Sequence, residues 1–67
     1  MIAISLNGQP SQLAGETTVA QLLAQLGYAG KRVAVEKNGA IVPKSQHQEA
    51  GVVDGDRLEI VVAVGGG

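Results

Sequence analysis

The chain predicts one α+β roll, with strands and a helix in the order β-β-α-β-β-β and the single helix packed on one face of the sheet. Three observations carry that expectation. Aliphatic residues alternate with small or polar ones near both ends of the chain, an amphipathic stripe at helical spacing lies between them, and Asn-Gly pairs stand where two hairpins would turn. Sixty-seven residues leave room for one domain. At that size folding buries only about 60% of the extended chain's surface, so most aliphatic residues are needed for the core.

The first strand is MIAISL, in which Ile2, Ile4 and Leu6 alternate with Ala3 and Ser5. Asn7-Gly8 turns the chain, because both residues tolerate positive φ. A return strand over Gln9–Leu13 follows, and Pro10 places it at an exposed edge. Thr17 and Thr18 then open the helix. Thr18-Val19-Ala20-Gln21 fits a capping box, in which the threonine oxygen serves free N–H groups and Gln21 reaches back. Val19, Leu22, Leu23 and Leu26 form one apolar stripe, and Gly27 stands where a left-handed C-terminal cap belongs.

Beyond the helix, Val33 and Val35 alternate with Ala34 and Glu36, and Asn38-Gly39 marks a second tight turn. Ile41-Val42 is a short strand stopped by Pro43. Residues 44–51 are polar and aperiodic, a loop with space for one helical turn. Asp54-Gly55-Asp56 turns into the last strand, residues 57–64, where Leu58, Ile60, Val62 and Val64 alternate with Glu59, Val61 and Ala63. The domain is expected over residues 1–64, with residues 65–67 as a flexible glycine tail.

Composition excludes several classes of function. Hydrophobic residues make up 45% of the chain and charged residues 16%, a balance that folds rather than staying disordered. Five scattered basic residues, a net charge of -1 and a lone aromatic, Tyr28, argue against nucleic-acid binding. No run approaches the roughly 20 apolar residues of a membrane span. The N-terminal segment lacks the pattern of an export signal, so a cytoplasmic location is expected. Without cysteine there is no disulfide, no thiolate nucleophile and no cysteine metal site. His47 has no partner at a motif spacing and reads as a loop residue. Asp54 and Asp56 flank a turn glycine without the rest of a calcium loop. Ser5 and Ser45 have no base nearby in sequence, and Tyr28 reads as a cap on the edge of the core. A roll of this size has little interior for a preorganised catalytic pocket, so the chain is expected to be acted upon rather than to catalyse.

Two features point outward. A sheet with one helix has one uncovered face, and the outward residues of the strands make it small, apolar and lightly acidic: Val61, Ala63, Ala34 and Ala3 with Glu36 and Glu59. That is the make-up of a partner-docking patch. The last strand then leads through Val64 to Gly65-Gly66-Gly67. Three glycines reach roughly 10 Å at about 3.3–3.6 Å per residue, and they carry no side chain to stop them entering a narrow channel. The distinctive chemical group at their end is the α-carboxylate of Gly67.

The strand order and glycine ending look like the ubiquitin-like β-grasp fold, a mixed sheet with one helix across it. The match narrows with the pieces Leu6-Asn7-Gly8, Thr18-Val19 followed by Leu22-Leu23, Val33-Ala34-Val35-Glu36-Lys37-Asn38 and Ile41-Val42-Pro43. Asp54-Gly55-Asp56-Arg57-Leu58-Glu59-Ile60-Val61 and Val64-Gly65-Gly66-Gly67 complete it. Together they resemble the ThiS family, the bacterial sulfur carriers of thiamin (thiazole) biosynthesis, in order and over essentially the whole chain.

The resemblance implies a chemistry. A ThiF-type enzyme would use MgATP to adenylate the Gly67 carboxylate. A sulfur donor such as a cysteine desulfurase persulfide would convert it to a thiocarboxylate, and a ThiG-type thiazole synthase would take the sulfur. Gly65 and Gly66 would serve threading, while Val61, Ala63, Val64, Glu59 and Ala34 would serve docking. No cofactor would be bound by the chain itself, and sulfur would ride on the carboxyl. The small subunit of molybdopterin synthase and the carriers for tRNA thiolation share this plan. The approach Val61-Val62-Ala63-Val64, without a Pro-Pro-Val sequence, favours the thiamin carriers. A ubiquitin-like modifier or an inert interaction module are the readings from another class.

Overall fold

Two asparagine-glycine turns set the register of the sheet. In the computed structural model, which describes residues 1–63, β1 (Ile2–Leu6) returns as β2 (Gln9–Leu13) with Leu6 opposite Gln9. Asn7 at φ 51° and Gly8 at φ 80° make the two-residue connection. Positive φ at both central positions matches the twist of the flanking strands. β2 is the sheet's edge, and Pro10 sits there opposite Ser5.

Helix α1 (Val19–Gln25) is held at both ends by backbone groups from outside it. A two-residue strand, β3 (Thr17–Thr18), leads in. The Thr18 hydroxyl oxygen accepts from the Gln21 N–H at 3.2 Å, as the capping pattern predicts. Gln21 does not reach back to the Thr18 backbone, however; its Oε1 accepts from the Thr17 hydroxyl at 2.7 Å. The next free donors are taken by the far loop: Val19 N–H donates to the Ala50 carbonyl and Ala20 N–H to that of His47, at 2.9 and 2.8 Å. At the other end Gly27, at φ 83°, closes the helix in the left-handed conformation. Tyr28 N–H donates to the Leu23 carbonyl and Gly27 N–H to that of Ala24, the paired bonds of a Schellman cap. Leu26 becomes the capping residue and is 37% exposed, so the buried stripe consists of Val19, Leu22 and Leu23 and stops short of its expected fourth member.

β4 (Val33–Lys37) and β5 (Ala40–Val42) form the second hairpin through Asn38 and Gly39, at φ 53° and 87°. A single 3-10 turn (Lys44–Gln46) fills the polar loop. β6 (Gly51–Val52) then pairs antiparallel with β3 in a small second sheet that the sequence pattern did not foresee. The last strand, β7 (Arg57–Val62), ends two residues earlier than the alternation predicts. Ala63 leaves the strand but still donates its N–H to the Arg32 carbonyl at 2.9 Å.

The main sheet runs β2-β1-β7-β4-β5. β7 therefore lies in the middle, parallel to β1 and antiparallel to β4. One helix covers one face, and the core between them is Ile4, Val35, Val42, Leu58 and Ile60 from the sheet with Val19, Leu22 and Leu23 from the helix. Val52 of the small sheet completes it. The sheet is thus mixed, as the β-grasp plan requires. No helix among the described residues is long and apolar enough to cross a membrane.

Candidate docking face and tail root

The alternation of β7 decides which side chains face the helix and which face out. Leu58 and Ile60 are buried, while Arg57, Glu59 and Val61 point to the uncovered side. Antiparallel pairing brings Ala34 opposite Val61 and Glu36 opposite Glu59, so these four side chains share that face. Ile41 of β5 stands opposite Glu36 and is 64% exposed, as is Val61. Ala3 of β1 is also exposed. The outer surface is therefore a small aliphatic patch around a pair of facing carboxylates. Ile41 belongs to it although the sequence reading treated it only as strand; its period-2 relation to the buried Val42 was the available signal.

Like charges directly opposite on a sheet destabilise it, so the Glu36–Glu59 juxtaposition contributes nothing to folding. The strand that carries it is fixed instead by two asparagine side chains. Asn7 Oδ1 accepts from the Ile60 N–H at 2.7 Å and Asn7 Nδ2 donates to the Ile60 carbonyl at 3.2 Å. On the other flank, Asn38 Oδ1 accepts from the Arg57 N–H at 2.8 Å, while Asn38 N–H donates to the Arg57 carbonyl. Both asparagines read in the sequence as turn formers alone. Their second role was missed, because the partner backbone is about 20 to 50 residues away and leaves no local signature.

Asp56 anchors the same end. Its Oδ2 accepts from the Val53 N–H at 2.9 Å and its Oδ1 from Asn38 Nδ2 at 3.0 Å. Burial pushes this carboxyl up, but the Val53 N–H, the Asn38 amide and the Lys37 charge together outweigh it and hold the group below the ordinary aspartate range. Asp54 Oδ1 accepts from the Ala3 N–H at 2.7 Å. Both aspartates are thus turn and strand anchors. Among the described residues, no group of three or more His, Asp or Glu side chains is placed to hold a metal ion. His47, read as a loop residue, closes the 3-10 turn in that loop and is buried; its Nε2 lies 3.1 Å from the Val42 carbonyl, which makes that nitrogen the hydrogen-bearing one.

Of the predicted site residues, Val61, Ala34 and Glu59 are brought together on the outer face. Ala63 is exposed at the strand's end, where the chain leaves the sheet. The expectations for Val64, Gly65, Gly66 and Gly67 lie outside the described residues.

A crystal structure of the thiamine biosynthesis protein ThiS from Geobacter metallireducens superposes with a TM-score of 0.85 at 33% identity, over 98% of this chain and all of that one. The ThiS family model matches residues 4–67. The chain belongs to the ThiS family. It is 38% identical to the sulfur carrier protein ThiS of Bacillus subtilis over 65 residues, 96% of this chain and 98% of that protein. It is also 47% identical over 62 residues, 92% of its length, to a thiazole synthase of Paramagnetospirillum magneticum. The chain spans about a fifth of the length of the thiazole synthases it matches. The ThiS family is that of the ubiquitin-like sulfur carriers of thiamin biosynthesis, and the β-grasp fold expected from the sequence is the fold found.

Proposed function

We propose that this ThiS-family chain carries sulfur for thiamin biosynthesis on the carboxyl of Gly67. The observation that carries the reading is the family match, which continues through the glycines to residue 67. The architecture supports it: the glycines come three residues after the end of the sheet's central strand in the sequence, and the exposed Val61–Ala34 patch lies beside that strand's end. The chain is a protein co-substrate in this scheme, and catalysis belongs to its partners.

A carboxylate is a poor electrophile until one oxygen becomes a good leaving group. A ThiF-type enzyme with MgATP joins the Gly67 carboxylate to AMP and releases pyrophosphate. A sulfur nucleophile, supplied by a cysteine desulfurase or another donor, attacks the carbonyl carbon and expels AMP. With a persulfide as donor, a thiol then cleaves the sulfur–sulfur bond, is itself oxidised to the disulfide, and leaves the thiocarboxylate. Thiazole synthase accepts that sulfur. Resemblance to thiazole synthases favours that acceptor, because in those proteins a segment like this chain forms part of the same polypeptide. Gly65 and Gly66 thread the channel, and Val61, Ala63, Val64, Glu59 and Ala34 dock its surroundings.

The test is the intact mass of the chain after incubation with MgATP, the activating enzyme and a sulfur donor. Replacement of one oxygen by sulfur at Gly67 is the expected result. An unchanged mass, while a control carrier is thiolated in parallel, overturns the proposal. Removing Gly66 and Gly67 is expected to abolish thiolation and leave the melting temperature unchanged, since among the described residues every buried core residue lies before residue 61.

A further inference from the structure

An open groove of about 880 Å³ lies on the helix side of the molecule, between the end of α1 and the 3-10 turn. Tyr28, Lys31, Arg32, Lys44, Ser45 and His47 are among the residues that line it. Three of the chain's five cationic residues line it, and among the described residues no acidic side chain does. Lys31, Arg32 and Lys44 are all exposed. A chain of net charge -1 has thus gathered positive charge at one place, while Glu36 and Glu59 occupy the opposite face.

Position gives the groove its meaning. Ala63 N–H donates to the Arg32 carbonyl, and Val33 stands opposite Val62, so Lys31 and Arg32 border the root of the C-terminal segment. A protein that encloses residues 64–67 must bring its outer rim against these cations. The four residues span at most about 14 Å when extended. A narrow channel demands that extended form, which keeps the root cations away from the reacting carboxyl and from any nucleotide joined to it. The complement they meet is therefore the surface of the enzyme rather than a phosphate.

We infer that Lys31, Arg32 and Lys44 pair with acidic side chains on the rim of the thiazole synthase cavity that receives the tail, an inference that rests on the carrier reading above. Exposed charges of this kind act mainly on encounter and orientation, and salt screens them over about 8 Å at physiological ionic strength. The contact steers the tail into the cavity and adds little once salt is high.

The test is binding of the full chain to thiazole synthase, without nucleotide, at low and high salt. The Lys31→Ala/Arg32→Ala variant is expected to bind about tenfold more weakly at low ionic strength, with the deficit shrinking to about twofold at high salt. Its thermal melting is expected to match that of the unaltered chain, because both side chains are exposed, and Lys44→Ala alone is expected to show a smaller deficit of the same kind. Equal affinity of variant and unaltered chain at low salt overturns the inference and leaves the carrier reading standing. A deficit that persists undiminished at high salt also overturns it, since lost packing rather than charge would then be responsible. Failure of the unaltered chain to bind at all overturns the thiazole synthase reading and the inference together.

Discussion

The side chain of Asn7 stands in for the peptide that β1 loses when it turns. Along the parallel pairing of β1 with β7, Asn7 N–H donates to the Leu58 carbonyl at 2.8 Å. The next bond of such a ladder would run from the Ile60 N–H to the Asn7 carbonyl, which the hairpin has rotated away. Asn7 Oδ1 takes that bond at 2.7 Å, and Nδ2 returns one to the Ile60 carbonyl. Asn38 does the same on the antiparallel side, where its Oδ1 receives the Arg57 N–H that an undistorted pair would direct to its backbone. The two positions that need positive φ thus also need a side-chain amide, a pair of demands that asparagine meets and glycine does not.

That distinction separates two substitutions. Asn7→Gly keeps the turn conformation and loses both bonds to Ile60, an expected cost of about 1–3 kcal/mol at about 0.5–1.5 per bond. Asn7→Ala adds roughly 1–2 kcal/mol for the left-handed backbone. Urea unfolding reads both, and a glycine variant as stable as the unaltered chain would refute the role given to the amide.

Asp56 makes stability depend on acid. Its carboxyl is held below the ordinary range in the folded chain, and it returns to about 3.9 on unfolding. The unfolded state thus binds the proton more readily, so the contribution of Asp56 is complete above about pH 4 and fades as pH falls through the lower folded value. Asp56→Asn is expected to be less stable than the unaltered chain at neutral pH, with the gap narrowing below about pH 4. Denaturant midpoints across that range decide it, and a gap independent of pH would exclude the carboxylate as its cause.

Leu22 is 1% exposed and sits in the middle of the helix–sheet contact. Leu22→Ala is expected to cost about 2–5 kcal/mol, a large share of the stability of so small a domain. Loss of the cooperative thermal transition, or a midpoint many degrees lower, is the predicted observation.

Val61 tests the outer face without touching the core. Val61→Asp is expected to change stability by about 1 kcal/mol or less, since the side chain is 64% exposed. It places a third carboxylate near Glu59 and Glu36 on an otherwise aliphatic patch. Binding to the activating enzyme or to thiazole synthase is expected to weaken about tenfold, equivalent to about 1.4 kcal/mol. Unchanged affinity for both partners would remove Val61 from the docking surface.

Much of this fold was legible because its signals are local. Alternation in β1, β4 and β7 exposed their two faces, and the Asn-Gly pairs fixed both hairpins. Thr18 and Gly27 marked the ends of the helix, though Leu26 showed that a helical spacing does not say where the cover stops. Contacts between distant segments were another matter. β3 and β6 have two residues each, too few for any period, and they exist because residues 47–50 come back to satisfy the helix's first N–H groups. His47 is buried and bonded to a backbone carbonyl, an acceptor every residue possesses and no sequence advertises. For the candidate site, the period-2 rule placed Val61, Ala34 and Glu59 correctly on one face. It said nothing of Lys31 and Arg32 in the loop after α1 or of Lys44 in the 3-10 turn, which line one groove only when those two segments come alongside each other.

The place of β7 between β1 and β4 makes the fold wait for a strand that comes after both hairpins in the chain. A nascent chain that has emerged only as far as Val53 possesses both hairpins and the helix, yet the gap between them has no strand to fill it. Leu58 and Ile60, two of the sheet's five core residues, are still missing at that stage. A chain cut short before β7 would expose the inner face of both hairpins and be open to proteases, so the ribosome must deliver residues 57–62 before the sheet can close.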